Sequence, residues 1–240
     1  MITYKQLVEK TMPPEKKASA NKCIIGHYLL RPVSNVISIP LISRGVSATT
    51  VTKISGIFPI ISLFMFLLFP NALGFWIGWG AILIWNILDG VDGNIARYTE
   101  TCSKMGELWD AAVGWLAVIV FYIGMGAVAF FNVGFFPVPI NISPSVFLVM
   151  GGISAIDWIF PRLIMQKKSV LLGEESVSDV KQRSNYSIPK LLFFNITSIN
   201  GGAAVIFLLS FCLNLMGLCM IFYFILSMAV AIGSIYSLLK

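Results

Sequence analysis

Apolar residues gather into six runs along the chain, at about 51–69, 74–88, 106–131, 146–165, 188–212 and 218–237. A helix crosses a bilayer core in about 20 residues, and a backbone in lipid must satisfy its own N–H and C=O groups. The pattern therefore predicts an all-α membrane protein with six transmembrane helices, the second span continuing to about residue 97. Residues 22–44 break apolar stretches with Arg31, Ser34, Asn35, Ser38 and Arg44. They are too polar to span and predict an N-terminal amphipathic helix lying in the interface. Residues 1–21, with Lys5, Lys10, Lys16 and Lys17 around Pro13 and Pro14, read as a cytoplasmic tail. The organisation is then a tail and a single membrane domain, 22–240. The tail has no apolar core of a signal peptide, so the first span is expected to direct insertion.

Charge gives the topology. Segments 70–73, 132–145 and 213–217 contain no charged residue, whereas Lys and Arg fall in 1–53, at Arg97 and Lys104, in 162–190 and at Lys240. This alternation predicts both termini in the cytoplasm, with the inner (plasma) membrane of the cell as the expected location. Composition agrees: 57% of the 240 residues are hydrophobic and 12% charged, against roughly 25% charged in soluble domains. Mean hydropathy is +0.85. A soluble enzyme, a disordered chain and a disulfide scaffold are excluded. The excess of 17 Lys+Arg over 11 Asp+Glu reads as contact with anionic headgroups rather than with nucleic acid. The bilayer is thus an expected partner and nucleic acid is not. The four cysteines, Cys23, Cys102, Cys212 and Cys219, have no metal-site spacing.

Candidate chemistry lies between the second and third runs. Residues 86–115 hold five of the eleven acidic residues, Asp89, Asp92, Glu100, Glu107 and Asp110. Charges beside a bilayer are costly, so such clustering marks a functional site. On a helix, Asp89, Asp92, Gly93, Ala96 and Arg97 share one face. Gly106, Asp110 and Gly114 form a second stripe at steps of four, with Glu107 adjoining. Antiparallel helices would join the two stripes. Two carboxylates about 4 Å apart repel by roughly 4 kcal/mol at an effective dielectric near 20. Either they change protonation or a cation sits between them, and all-oxygen ligation suits Mg²⁺, Mn²⁺ or Ca²⁺ rather than Zn²⁺. Arg97 offers a fork for phosphate. Metal and phosphate together suggest phosphoryl-type transfer. A loop of merely solvated acids would explain neither the small residues nor the shared face.

These residues resemble the CDP-alcohol phosphotransferase family, whose pattern is DxxDGxxAR, eight residues, then GxxxDxxxD. Asp89, Asp92, Gly93, Ala96 and Arg97 match. Eight residues follow, and Gly106 and Asp110 match in turn. Residues 31–52 look like the family's interfacial helix and entry to the first span, with Thr52 fitting and the common Pro-Asn pair replaced by Ala48-Thr49. The resemblance implies that a CDP-linked alcohol gives its phosphoalcohol group to an acceptor hydroxyl with release of CMP. It implies Mg²⁺ or Mn²⁺ on Asp89, Asp92 and Asp110. Gly93, Ala96, Arg97, Gly106 and Thr52 would line the nucleotide and phosphate site. The partners implied are a CDP-alcohol donor and a hydroxyl acceptor, and a homodimer is a further expectation. One position departs: the fourth aspartate, the usual base, is Gly114. Glu107 is the candidate substitute; the alternatives are an acceptor with its own basic group or a hydroxyl activated by metal, and a carboxylate at 114 is expected to crowd a site shaped around glycine.

Arg162, five residues after Asp157, and Asn200, in the polar stretch Asn195–Thr197–Ser198–Asn200, are candidate substrate contacts. Gly201-Gly202 reads as a close-packing point. The alternatives are a nucleotide-binding but catalytically impaired family member and an intramembrane prenyl-diphosphate transferase. A metal or solute carrier is disfavoured by the lack of repeats.

Overall fold

The computed structural model describes residues 2–12, 24–136, 142–172 and 188–239. Among these the regular elements are all helical. Helix α1 is Tyr4–Thr11, and α2 is Arg31–Ser43, entered through a wide π-turn at Gly26–Leu30. Helices α3 (Ala48–Ser55) and α4 (Ile57–Leu68) together make one 21-residue span. Spans α5 (Ala72–Thr99), α6 (Lys104–Phe131) and α7 (Ser145–Leu172) have 28 residues each. Helices α8 (Ile188–Thr197) and α9 (Ala204–Cys212) flank a π-turn at Ile199–Ala203, and α10 is Met216–Leu239. Among the described residues five helices are long and apolar enough to cross a membrane, six if the bent pair counts as one span. The all-helical class with five or six apolar helices agrees with the sequence expectation. The protein is an integral membrane protein.

Side chains at the helix starts explain several boundaries. Ser47 accepts from Thr50 N–H at 3.2 Å ahead of α3. Asn71 accepts from Gly74 N–H at 2.9 Å ahead of α5, and Ser103 from Gly106 N–H at 3.0 Å ahead of α6. Each satisfies a donor that the first turn leaves without a partner. Gly45, at φ 70°, ends α2 in the left-handed region that glycine enters without strain.

Two expectations are modified. The N-terminal segment does not run as a plain tail. Thr3 and Gln6 form a capping box on α1, Leu7 and Thr11 are buried, and Lys10 meets Glu100 at 2.9 Å. That ammonium holds the Glu100 carboxyl below the usual carboxylate range. Residues 13–23 lie outside those described. Helix α2 exists where an interfacial helix was expected, but its polar stripe faces inward. Ser34, Asn35 and Ser38 are buried while Val33 and Val36 are exposed. Polar groups on α5 supply the partners that lipid cannot.

By internal contacts the chain divides into two compact units. The first comprises Met1–Pro59, Gly80–Leu116 and Ser178–Ala204. Its core is Val51, Val91 and Ile95, packed by Ile37, Leu41, Ile42, Val46 and Ile87. This cluster clamps α2 and α3 onto the second half of α5. Ser34 Oγ lies 2.8 Å from the Ile87 carbonyl. The approach needs Gly90, where a Cβ would fall 2.5 Å from that hydroxyl.

The second unit comprises Ile60–Trp79, Ala117–Val177 and Val205–Lys240. Phe66, Phe75, Phe121 and Phe207 pack with ring centroids 5.3 to 6.1 Å apart. Gly126 and Gly151 let the α6 and α7 backbones touch, their Cα atoms in the way of any added methyl at 3.0 Å. Ser227 Oγ donates to Asp157 at 2.9 Å, so Asp157 has a neutral partner on α10. Outward residues such as Phe64, Val149, Ile156, Ile225 and Ile232 are exposed and apolar, as a lipid-facing surface requires.

The fifth predicted span is broken. Its two parts meet at 59° across Ser198. Gly201 has φ −112° and ψ −127°, outside the helical region. A Cβ on Gly201 or Gly202 would fall 2.7 or 2.9 Å from the Asn195 carbonyl. The two glycines thus admit a close approach, but to their own segment at the bend.

Candidate active site

The residues of the DxxDGxxAR stretch line one flank of α5 in the first unit. Asp92 is buried, and Asp89, Gly93, Ala96 and Arg97 are half-buried. Helix α3 brings Thr52, also buried, so that its hydroxyl donates to Asp92 Oδ2 at 2.6 Å. The same hydroxyl lies 3.1 Å from the Ala48 carbonyl. The broken fifth segment brings the polar side chain of Asn200 near Asp89. Asp92 and Asp110 both lie within electrostatic reach of Asp89. Asp110 on α6 is thus close enough to interact electrostatically with Asp89 and Asp92 on α5.

The α6 stripe is more open. Glu107, in the first turn, and Asp110 are exposed. Gly106 sits beside Ser103 and Thr49, at 3.1 and 3.8 Å from where its Cβ would be. At Gly114 an added Cβ would meet nothing within 4 Å. A Cβ alone is therefore accommodated at this position.

Arg97 folds back along its helix over Gly93. A Cβ on Gly93 would fall 2.9 Å from both terminal guanidinium nitrogens. Nη2 donates to Asn94 Oδ1 at 3.2 Å, and the Nε group is buried with no hydrogen-bond partner. Arg31 lies within electrostatic reach of this guanidinium. Asn94, Asn35 and Ser38, all buried, form the polar support behind Arg97. Sequence reasoning missed these three. The available signal was their polarity at helical spacing inside otherwise apolar stretches. Arg162 is exposed on α7, which belongs to the second unit.

The residues fit a hard divalent cation by chemistry. Three aspartates supply oxygen only, and the Arg97 guanidinium lies within electrostatic reach of all three. Keeping a buried carboxylate such as Asp92 charged is costly, and a bound cation would offset that cost. Among the described residues no three acidic, His or Cys side chains already converge tightly enough to hold an ion.

The fold and this acidic, arginine-bearing flank define a helical membrane protein built around carboxylates and a phosphate-type fork. A family model for CDP-alcohol phosphatidyltransferase matches residues 46–235. The chain belongs to the CDP-alcohol phosphatidyltransferase family, a family of transferases whose reaction moves a phosphoalcohol group from a CDP-alcohol to a hydroxyl acceptor. No curated protein matches the chain.

Proposed function

We propose that the chain is an active, metal-dependent member of its family, with Asp89, Asp92 and Asp110 as metal ligands and Glu107 as the base. The observation that carries this reading is the grouping of Asp89 and Asp92 on α5 with Asp110 on α6, at the family's spacing. Mg²⁺ or Mn²⁺, when bound, neutralises diphosphate charge and stabilises the departing CMP. Thr52 and Asn200 orient Asp92 and Asp89, as outer hydrogen bonds orient metal ligands generally. Arg97 holds the diphosphate, and Gly93, Ala96 and Gly106 keep the surface low enough for the nucleotide to approach.

In the reaction the acceptor hydroxyl oxygen attacks the phosphorus that bears the alcohol. The bond from that phosphorus to the bridging oxygen breaks, and CMP leaves with the electron pair. The acceptor's proton passes to the Glu107 carboxylate, a service worth about 10²–10⁴ in rate. The charge pattern of the loops supports, as part of this reading, a site at the cytoplasmic face of the inner (plasma) membrane with both termini inside. Lipid biosynthesis and a homodimeric assembly are part of the same reading.

The donor is identified by offering labelled CDP-diacylglycerol, CDP-choline, CDP-ethanolamine and CDP-polyols to the purified chain with Mg²⁺ or Mn²⁺. Release of CMP from one of these, dependent on metal and acceptor, is expected. The bare Gly114 favours a second reading, in which the chain binds the nucleotide without transfer. Nucleotide binding with no CMP from any donor would establish that reading and overturn the first.

A further inference from the structure

A relay of hydrogen bonds runs from the arginine of the site to the first helix. Arg97 Nη2 donates to Asn94 Oδ1 at 3.2 Å. Asn94 Nδ2 donates to Asn35 Oδ1 at 2.9 Å and to Ser38 Oγ at 3.3 Å. Asn35 Nδ2 reaches the Tyr4 hydroxyl at 3.3 Å. The direction of the relay is fixed at Ser38. Its single proton goes to the Ser34 carbonyl at 2.7 Å, so Ser38 can only accept from Asn94. The Asn94 amide must then present its NH₂ to α2 and its oxygen to Arg97. A flipped amide would set NH₂ against guanidinium.

Two further features hold the relay in place. The Val51, Val91 and Ile95 cluster presses α2 onto α5. At the far end, Lys10 of α1 pairs with Glu100 at 2.9 Å and sits 5.1 Å from the Tyr98 ring centroid. The family match begins at residue 46. Tyr4, Asn35 and Ser38 therefore lie outside it, as does the whole of α1 and α2.

We infer that Asn94 is the positioning residue for the Arg97 guanidinium, and that Tyr4, Asn35 and Ser38 from the segment before residue 46 complete the site by fixing the Asn94 amide. The inference rests on the proposed role of Arg97 at the diphosphate. Arginine is flexible, and a guanidinium already held in place loses less freedom when an anion binds.

The test uses CDP as probe, with its Kd measured by calorimetry on the full-length, detergent-solubilised chain. Asn94→Ala and Asn35→Ala are expected to weaken CDP binding by about three- to tenfold, the effect of freeing one rotamer-rich side chain. In turnover the same loss appears in KM rather than kcat. Tyr4→Phe, isosteric and remote, weakens binding in the same direction by about twofold, the small end of a net hydrogen bond. In an Arg97→Ala background, Asn35→Ala has no further effect, because it acts only through Arg97. A network that merely satisfies buried polar groups would not show this dependence.

Unchanged CDP affinity in Asn35→Ala, or an equal loss that persists without Arg97, overturns the inference and leaves the proposed function standing. A wild-type chain that does not bind CDP overturns both. Should Asn35→Ala not fold, Ser38→Ala and Tyr4→Phe carry the same test, and unchanged affinity in both overturns it.

Discussion

At the scale of single residues, the site is shaped as much by missing side chains as by present ones. Gly93 leaves the space that the Arg97 guanidinium fills. Gly93→Ala places a methyl 2.9 Å from the far end of a flexible side chain, which can move aside. Alanine also gains about 0.5–1 kcal/mol over glycine within a helix. The variant is therefore expected to melt at or above the wild-type temperature while losing CDP affinity. Loss of stability with unchanged affinity would contradict this account of Gly93. Gly114 is the opposite case, since nothing lies within 4 Å of an added Cβ. Gly114→Asp should fold normally and leave CMP release no higher than wild type, while Glu107→Gln lowers it by about 10²–10⁴ with CDP binding intact. Parallel CMP assays decide the point. A large gain from Gly114→Asp without loss from Glu107→Gln would return the base to position 114.

At the scale of elements, helix contacts in the second unit depend on small residues. Gly126 and Gly151 bring the α6 and α7 backbones together, and a Cβ on Gly151 would fall 2.6 Å from the Tyr122 carbonyl. Backbone cannot step aside as a side chain can. Gly151→Ala should cost about 1–3 kcal/mol, whereas Gly152→Ala, with nothing within 4 Å, should be neutral or stabilising. Thermal unfolding in one detergent checks the pair, and equal melting temperatures would refute the close crossing. Span positions were legible in the sequence because apolar length in lipid translates almost directly into helix. The acidic stripes on α5 and α6 were legible because helical spacing fixes which residues share a face. Orientation and bending were not. Ser34, Asn35 and Ser38 spell an amphipathic helix whichever way it faces, and their burial follows from partners on α5 distant in sequence. The break near Gly201 arises from local backbone geometry that a run of apolar and small polar residues does not specify. Asn200 on Asp89 and Asn94 behind Arg97 were hidden for the same reason.

At the scale of the molecule, loop charge carries the account of orientation. The uncharged stretch 132–145 should face away from the cytoplasm, and 98–105 and 167–186 should face it. Single cysteines placed in these loops, in a chain without the native four, report sidedness through an impermeant thiol reagent. Labelling of 132–145 from the same side as 167–186 would contradict six spans. Such an arrangement puts α1, α2 and the acidic flank on the side where nucleotide is available. The central claim is that Asp89, Asp92 and Asp110 together hold the metal on which transfer depends. Its most direct test is metal-dependent CMP release by Asp89→Asn, Asp92→Asn and Asp110→Asn, each first shown to insert and to melt as the wild type does. Removing one carboxylate relieves repulsion, so metal-free stability should hold or rise. The account predicts that all three lose CMP release at every Mg²⁺ or Mn²⁺ concentration. Retention of substantial metal-dependent release by any of them would contradict it.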